Sequence, residues 1–279
     1  MPPPVRNSLN ASVFSSNDVG ILRLVWEDQP LEIEYAWLAP ERKDRPLVIF
    51  LHEGLGSVAM WGNFPHLVCQ ALGWRGLVYS RPGYGKSTPL PAGMVLSPDY
   101  LHRQARDLLP VLLSKLGVDA KVQPPWILGH SDGGSIALLY ASNHPCAGLV
   151  VMAPHIYLEP ECLAGIQKAQ QDYKGGHLRT SLTRFHRDPD SIFWGWSRAW
   201  LGPAFATWSI RDVLGAIDCP ILAIQGDQDQ YGTLEQVRGI ACFASQTHVI
   251  ELADCGHWPH REQTELVLRK LTGFVQAQI

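Results

Sequence analysis

Residues 126–141, WILGHSDGGSIALLYA, constrain this chain more than any other stretch. Trp126, Ile127 and Leu128 make a short apolar run of the kind that forms a buried strand, and residues 136–141 read as a helix. Between them stand Gly129, His130, Ser131, Asp132 and Gly133. A strand, a tight turn bounded by glycines and a helix, with serine at the centre of Gly-x-Ser-x-Gly, is the pattern of a nucleophile elbow. The serine must take a cramped backbone conformation that lifts its hydroxyl, so its neighbours two positions away have to be small. The helix behind it points N–H groups at the place where negative charge would develop. Taken alone, the motif also fits an ordinary Gly-rich strand-to-helix turn.

The rest of the chain supplies the context. Residues 21–25 and 31–38 are strand-like, and Leu31, Ile33, Tyr35 and Trp37 alternate with Glu32 and Glu34, which predicts a strand with one wet face. Glu27, Asp28, Gln29 and Pro30 form a hairpin turn between the two. From Pro46 the rhythm becomes short apolar strand, loop, helix: strands at 47–51, 76–80 and 148–153, helices at 58–72 and 100–116, the second broken or bent near Pro110. The same rhythm returns with strands at 220–226 and 248–252 and helices at 233–243 and 262–275. Such alternation implies right-handed βαβ crossovers and a mostly parallel sheet, whose ligands bind beyond the carboxyl ends of the strands.

At 279 residues the chain can bury a full core as one large domain, with or without an insertion. A net charge of −3 offers nothing to nucleic acid or to an anionic membrane surface. The six cysteines, at 69, 146, 162, 219, 242 and 255, never form Cys-x-x-Cys, which speaks against a zinc site or a disulfide framework and for a reducing compartment. Residues 1–18 read as a loose N-terminal arm without an apolar segment of signal-peptide length, and no apolar run reaches membrane-spanning length. The expected location is the cytoplasm.

A serine hydroxyl becomes a nucleophile when a base takes its proton, and the base needs an acid to orient it. Two apolar strands end next to such groups. One closes at Gly226 with Asp227 and Asp229 just beyond; the other is followed by Gly256 and His257. The order Ser, Asp, His along the chain is the one this architecture uses.

With these residues in view, the chain resembles the α/β-hydrolase superfamily from about residue 21 to its C-terminus. The likeness rests on HEGLGS at 52–57, RPGYGKS at 81–87, GHSDG at 129–133, GDQD at 226–229 and the Gly256-His257 pair. It implies an α/β fold: a mostly parallel eight-stranded sheet flanked by helices, with residues 19–154 and 212–279 as the core and 155–211 as an inserted helical cap. Within the family the acid usually lies three residues after the strand-end glycine, which selects Asp229 over Asp227. The look-alikes are capped members such as meta-cleavage-product hydrolases, enol-lactonases and valacyclovirase-like amino-acid ester hydrolases. Dehalogenase and epoxide-hydrolase relatives carry Asp where this chain has Ser131.

The resemblance also assigns an oxyanion hole to the N–H groups of Gly54 and Asp132. The family usually has glycine after His52, and this chain has Glu53. A carboxylate there opposes an oxyanion unless it turns outward, is held by an arginine, or joins Asp132 in recognising a cationic substrate group. Asp132 has a simpler reading as the cap of the following helix. In the 155–211 segment Phe193, Trp194, Trp196, Trp200, Phe205 and Trp208 are packing residues by type, with Trp196 and Trp200 the candidates for substrate contact. His177, Arg179, Arg184, His186, Arg187 and Arg198 read as a solvated face, with binding of a substrate anion as the alternative. The expectation is a serine hydrolase of a small ester, thioester or lactone, with Ser131, His257 and Asp229 as triad. It needs no cofactor or metal, takes a small molecule as partner, engages neither nucleic acid nor membrane, and leaves a homodimer open. The alternatives are hydrolysis of a carbon–carbon bond in a ring-fission product and a ligand receptor on the same scaffold.

Overall fold

The computed structural model describes Phe14 and residues 19–279. The expected arm therefore lies outside the described residues, apart from Phe14, which is buried against one face of the sheet. The chain opens with β1 (Val19–Trp26) and β2 (Gln29–Leu38), paired antiparallel. Glu27 and Asp28 join them at φ 51° and 60°, the left-handed pair that a two-residue hairpin turn demands. Then follow β3 (Leu47–Leu51), α1 (Phe64–Leu72), β4 (Arg75–Tyr79), α2 (Tyr100–Arg103), α3 (Leu109–Lys115), β5 (Trp126–His130), α4 (Asp132–Ala141) and β6 (Gly148–Met152). Three helices interrupt the alternation: α5 (Pro160–Lys174), α6 (His177–Leu182) and α7 (Pro189–Trp200). It resumes with β7 (Ile221–Gly226), α8 (Glu235–Phe243), β8 (Thr247–Leu252), α9 (Pro259–Glu262) and α10 (Thr264–Gln276).

The eight strands form one sheet in the order β1-β2-β4-β3-β5-β6-β7-β8. Only β2 runs against the others, through its antiparallel pairs with β1 and β4. The chain moves from β3 to β4 in one direction and then crosses to β5 on the other side of β3. The crevice between the carboxyl ends of β3 and β5 is thus the topological switch point, where open α/β sheets bind their ligands. The period-2 pattern of the strands builds two cores. Leu47, Ile49 and Leu51 face one, and Val48 and Phe50 face the other. The first core also takes in Ile166, Phe193, Trp196, Trp200 and Trp208 from the inserted segment, so sheet and insert share one hydrophobic cluster. None of the described helices is long and apolar enough to cross a membrane.

Two local expectations change. β2 has no wet face at Glu34, which is 3% exposed because its carboxylate accepts from the Ser80 hydroxyl at 2.7 Å and the Lys86 N–H at 2.9 Å. The helix expected over 58–72 is a single 3-10 turn, Ala59–Trp61, and then α1, with Pro65 in the first turn, where its missing N–H costs nothing. The break or bend expected near Pro110 in the helix over 100–116 is there, as one wide π turn, Gln104–Leu108, just ahead of that proline. A proline has no N–H with which to close the preceding turn, and a π turn absorbs that loss without ending the helix. Residues 155–211 hold α5, α6 and α7, short 3-10 turns and one antiparallel bridge between Tyr157 and Ser209.

Candidate active site

Ser131 sits between β5 and α4 at φ 52°, ψ −120°, a region that costs a residue with a side chain roughly 1–3 kcal/mol. The surroundings hold it there. Its N–H donates to the Met152 carbonyl of β6 at 2.9 Å, and its own carbonyl accepts from Gly134 N and Ser135 N at 2.8 and 3.1 Å. The glycines are forced by contact: a Cβ on Gly129 would strike the Gly133 backbone, and one on Gly133 would strike the Leu51 carbonyl.

The strand ends bring the other candidates to the same cleft. Ser131, Glu53, Gly54, Asp132 and His257 all line it, and its open space, solvent side included, is ≈ 420 Å³. Asp229, not Asp227, meets the imidazole: His257 Nδ1 lies 2.8 and 2.9 Å from the two Asp229 oxygens. Two further donors fix that carboxylate, Gln225 Nε2 at 2.8 Å and Tyr231 N–H at 2.8 Å. Burial alone would raise the Asp229 carboxyl, but His257, the Tyr231 N–H and His155 outweigh it and hold the group below its ordinary value. Asp227 is exposed, and among the described residues its carboxylate reaches only the Cys255 N–H, at 3.4 Å.

Gly54 follows a peptide held from three sides. The Glu53 carbonyl accepts from His52 Nδ1 at 2.7 Å, Arg81 Nη2 at 2.9 Å and the Gly56 N–H at 3.0 Å. In a trans peptide the N–H points opposite to the carbonyl, so this grip aims the Gly54 N–H away from Arg81. Arg81 Nη1 also holds the His52 carbonyl, at 2.9 Å. The loop after β3 is therefore preorganised by an arginine that is 2% exposed.

Protein cations answer both unusual carboxylates. Glu53 is buried, with Arg261 Nη2 at 3.5 Å and His130 Nδ1 at 3.6 Å. Burial would raise its carboxyl, yet His130 and Arg261 hold it well below the ordinary value. Of the two simple readings of Glu53, being held by an arginine is the observed one, and the arginine comes from α9. Asp132 does not cap α4, whose first turn receives no side-chain hydrogen bond. Its carboxylate accepts from the Tyr100 hydroxyl at 2.6 Å and faces Arg81 at 3.6 Å. Burial raises the Asp132 carboxyl, and Arg81 and Tyr100 oppose the rise. The Tyr100 hydroxyl in turn accepts from the Trp200 indole at 2.8 Å, which ties α7 to the elbow.

Trp196 and Trp200 both line the cleft from α7. Trp196 lies directly on Gly54: a Cβ there would collide with its indole nitrogen and come within 2.9 Å of Cε2. That indole N–H is turned toward the Asp132 carboxylate but completes no hydrogen bond among the described residues. The expected solvated face of the insert fails at His186, which is 6% exposed. It accepts at Nδ1 from the Gly85 N–H, 2.9 Å away, and donates from Nε2 to the Leu55 carbonyl at 3.0 Å, clasping the insert to two core loops. Arg179 pairs with Asp190, and Arg198 packs over Trp194, so neither waits for a substrate anion.

The sequence reading missed His155, Tyr231 and Trp258, which also line the cleft. His155 lies just past the end of β6, where Ala153 takes φ 47°, and the Ser135 hydroxyl binds its carbonyl at 2.6 Å. Its position close behind a strand end was the available signal. His130, inside the elbow motif, donates from Nε2 to the His257 carbonyl at 2.7 Å, since a carbonyl can only accept. Among the described residues no group of three or more His, Cys, Asp or Glu is placed to hold a metal ion.

The family described as the alpha/beta hydrolase family matches residues 48–270. The chain belongs to that family. Human monoglyceride lipase is 33% identical over 116 residues, 41% of this chain and 37% of that protein. The 2-succinyl-6-hydroxy-2,4-cyclohexadiene-1-carboxylate synthase of Photorhabdus laumondii is 26% identical over 148 residues, 52% of this chain and 46% of that one. The matched stretches thus span less than half the length of these curated relatives. Among solved structures, one from a study of carboxylesterases of Nitrososphaera gargenis superimposes with TM-score 0.72 at 15% identity, covering 92% of this chain and 98% of that one. At that identity the likeness of this α/β hydrolase to the solved structure is one of fold.

Proposed function

We propose that this α/β hydrolase cleaves a small carboxylic ester, thioester or lactone through an acyl-enzyme, beneath a cap formed by residues 155–211. The observation that carries the reading is the pair of short contacts from His257 Nδ1 to Asp229, made in the cleft that Ser131 enters from its elbow. Asp229 keeps the Nδ1 proton in place, so Nε2 is the free base. Ser131 Oγ attacks the carbonyl carbon while His257 takes its proton, and the carbonyl π electrons move to oxygen. The N–H groups of Gly54 and Asp132 receive that oxyanion. The intermediate collapses, the alcohol or thiol leaves with the proton from His257, and water repeats the sequence to release the acid. Arg81 and Arg261 lower the field of Asp132 and Glu53, which would otherwise oppose the oxyanion. With both carboxylates answered from within, the site works without a cationic substrate.

The test is turnover of p-nitrophenyl acetate and its pre-steady-state course. The wild type should show a burst of p-nitrophenol equal to the enzyme concentration when deacylation is slow, and Ser131→Ala should abolish turnover. Turnover that survives Ser131→Ala defeats the reading.

A further inference from the structure

Several buried polar atoms of the described residues lack a hydrogen-bond partner, and just two of them belong to residues lining the cleft. They are Nδ1 of His155, on a residue 4% exposed, and the indole N–H of Trp196, on a residue 7% exposed, which is turned toward the Asp132 carboxylate without completing a hydrogen bond to it. An unmet polar group in a cleft is a demand on the ligand, because a plain alkyl chain leaves it desolvated and unpaired. An indole nitrogen is a donor only, so what it wants is an oxygen. Trp196 lies against Gly54, whose N–H is the proposed oxyanion donor. An oxygen that meets the indole there belongs one bond beyond the reacting carbonyl. His155 lines the same cleft, its ring 5.2 Å from Trp200 and 6.3 Å from His257, so a second polar group borders that space.

We infer that the preferred substrates are esters of short acids carrying an oxygen on the carbon next to the carbonyl, 2-hydroxyacyl esters above all, with the Trp196 indole N–H donating to that oxygen. A hydroxyl fits better than a carboxylate. Asp132 lies close to Trp196 and would repel an anion, whereas a hydroxyl can turn its own proton toward it. The inference rests on the hydrolase reading above and names the substrate class for that same site.

The experiment compares ethyl 2-hydroxypropanoate, as separate enantiomers, with ethyl 2-methylpropanoate, which puts a methyl group where the hydroxyl stands. Each kcat/KM is divided by the ester's own hydroxide-catalysed rate. For one enantiomer the wild type should favour the hydroxy ester by about tenfold or more. Trp196→Phe should lower kcat/KM for the hydroxy ester by a larger factor than for the methyl ester, collapsing the ratio. Trp196→His, which keeps an N–H, should restore part of it. A normalised ratio near one in the wild type overturns the inference, as does a ratio that Trp196→Phe leaves intact. The wild-type ratio stands as a test even if the variants fail to fold. Cleavage of p-nitrophenyl acetate that depends on Ser131, together with a ratio near one, sinks this inference and leaves the hydrolase reading standing. If the wild type cleaves no ester, the hydrolase reading fails instead, and the contact is read by thermal shift. Unequal stabilisation by the two esters that disappears in Trp196→Phe then supports the contact, and equal stabilisation overturns it.

Discussion

The floor of the cleft and its roof are built on different principles. The floor is made of strand ends, and its working polar groups are held by the backbone or by one another: Asp229 by three donors, and the Glu53 carbonyl by three more. The roof is made of α5 to α7 and is held by ring packing. Tyr173 stacks on Phe193 at 3.8 Å and 5°, and Trp200, Phe205 and Trp208 form a mutual cluster. It also has polar ties, such as His186 to Gly85 and Leu55 and Trp200 to Tyr100, but the Trp196 N–H completes no hydrogen bond among the described residues. A floor in which each group is fixed by several others suits chemistry, which tolerates little displacement. A roof of interlocked rings suits enclosure, and its leftover donors suit selection among ligands.

That contrast predicts a graded set of losses. The largest belongs to the floor. Asp229→Asn should lower kcat by up to about 10⁴, as loss of an orienting acid can, while Asp227→Asn stays within about tenfold. Steady-state kinetics on p-nitrophenyl acetate decides, and similar losses for the two would erase the difference between a bound and an unbound strand-end acid.

Next is Arg81→Met. It strips the buried Asp132 carboxylate of its cation and two loop carbonyls of their donor. Urea unfolding at pH 7 should show a loss of about 3–5 kcal/mol. A loss under about 1 kcal/mol would mean that the floor is no more tightly bound than the roof.

The third lies where roof meets floor. Neutral His186 accepts at Nδ1 and donates at Nε2, so a proton on Nδ1 would confront the Gly85 N–H. Burial pushes this imidazole down to about 4. A base whose folded pKa is depressed favours folding fully above its unfolded value, near 6.5, and loses that advantage as pH falls toward about 4. The unfolding free energy from urea titrations should drop across that window, by about a few kcal/mol at most, and His186→Gln should flatten the drop. An unchanged profile in the variant would place the pH sensitivity elsewhere, with buried His155 the next candidate.

The smallest effect is expected on the outer side of the roof. Asp190 accepts from Arg179 and the Tyr173 hydroxyl, which hold its carboxyl down at about 2. A depressed acid stabilises above its unfolded value and loses that effect as pH falls through about 2. The pair is half exposed, so Asp190→Asn should cost less than about 1 kcal/mol at pH 7, and the gap to wild type should close as pH falls from about 4 to about 2.

The difference between floor and roof also governs what could be read from residue order. Apolar periodicity placed every strand of the sheet to within about two residues, because buried parallel strands leave a run that little else imitates. The elbow was legible because its two glycines are forced by contact with backbone. Asp229 is set apart from Asp227 by the turn beyond Gly226, which brings it to His257, Gln225 and the Tyr231 N–H while Asp227 stays exposed. What stayed hidden depends on partners distant in sequence. Glu53 meets Arg261 from the far end of the chain, Asp132 meets Tyr100 and Arg81, and Glu34 meets the loop after β4. No local pattern announces that a charged residue in a strand or first turn has such a partner, so Glu34 read as wet and Asp132 as a cap.

Trp196 and Trp200 of α7 belong to the same hydrophobic cluster as Ile49 and Leu51 of the sheet, so the insert has no dividing seam. Its history and its engineering follow from that. A segment without a seam cannot be exchanged between relatives like a cartridge, since a foreign insert would arrive with rings shaped for another sheet face. Change in substrate preference is expected to come by single replacements within the roof, each answered by a replacement on the face beneath it.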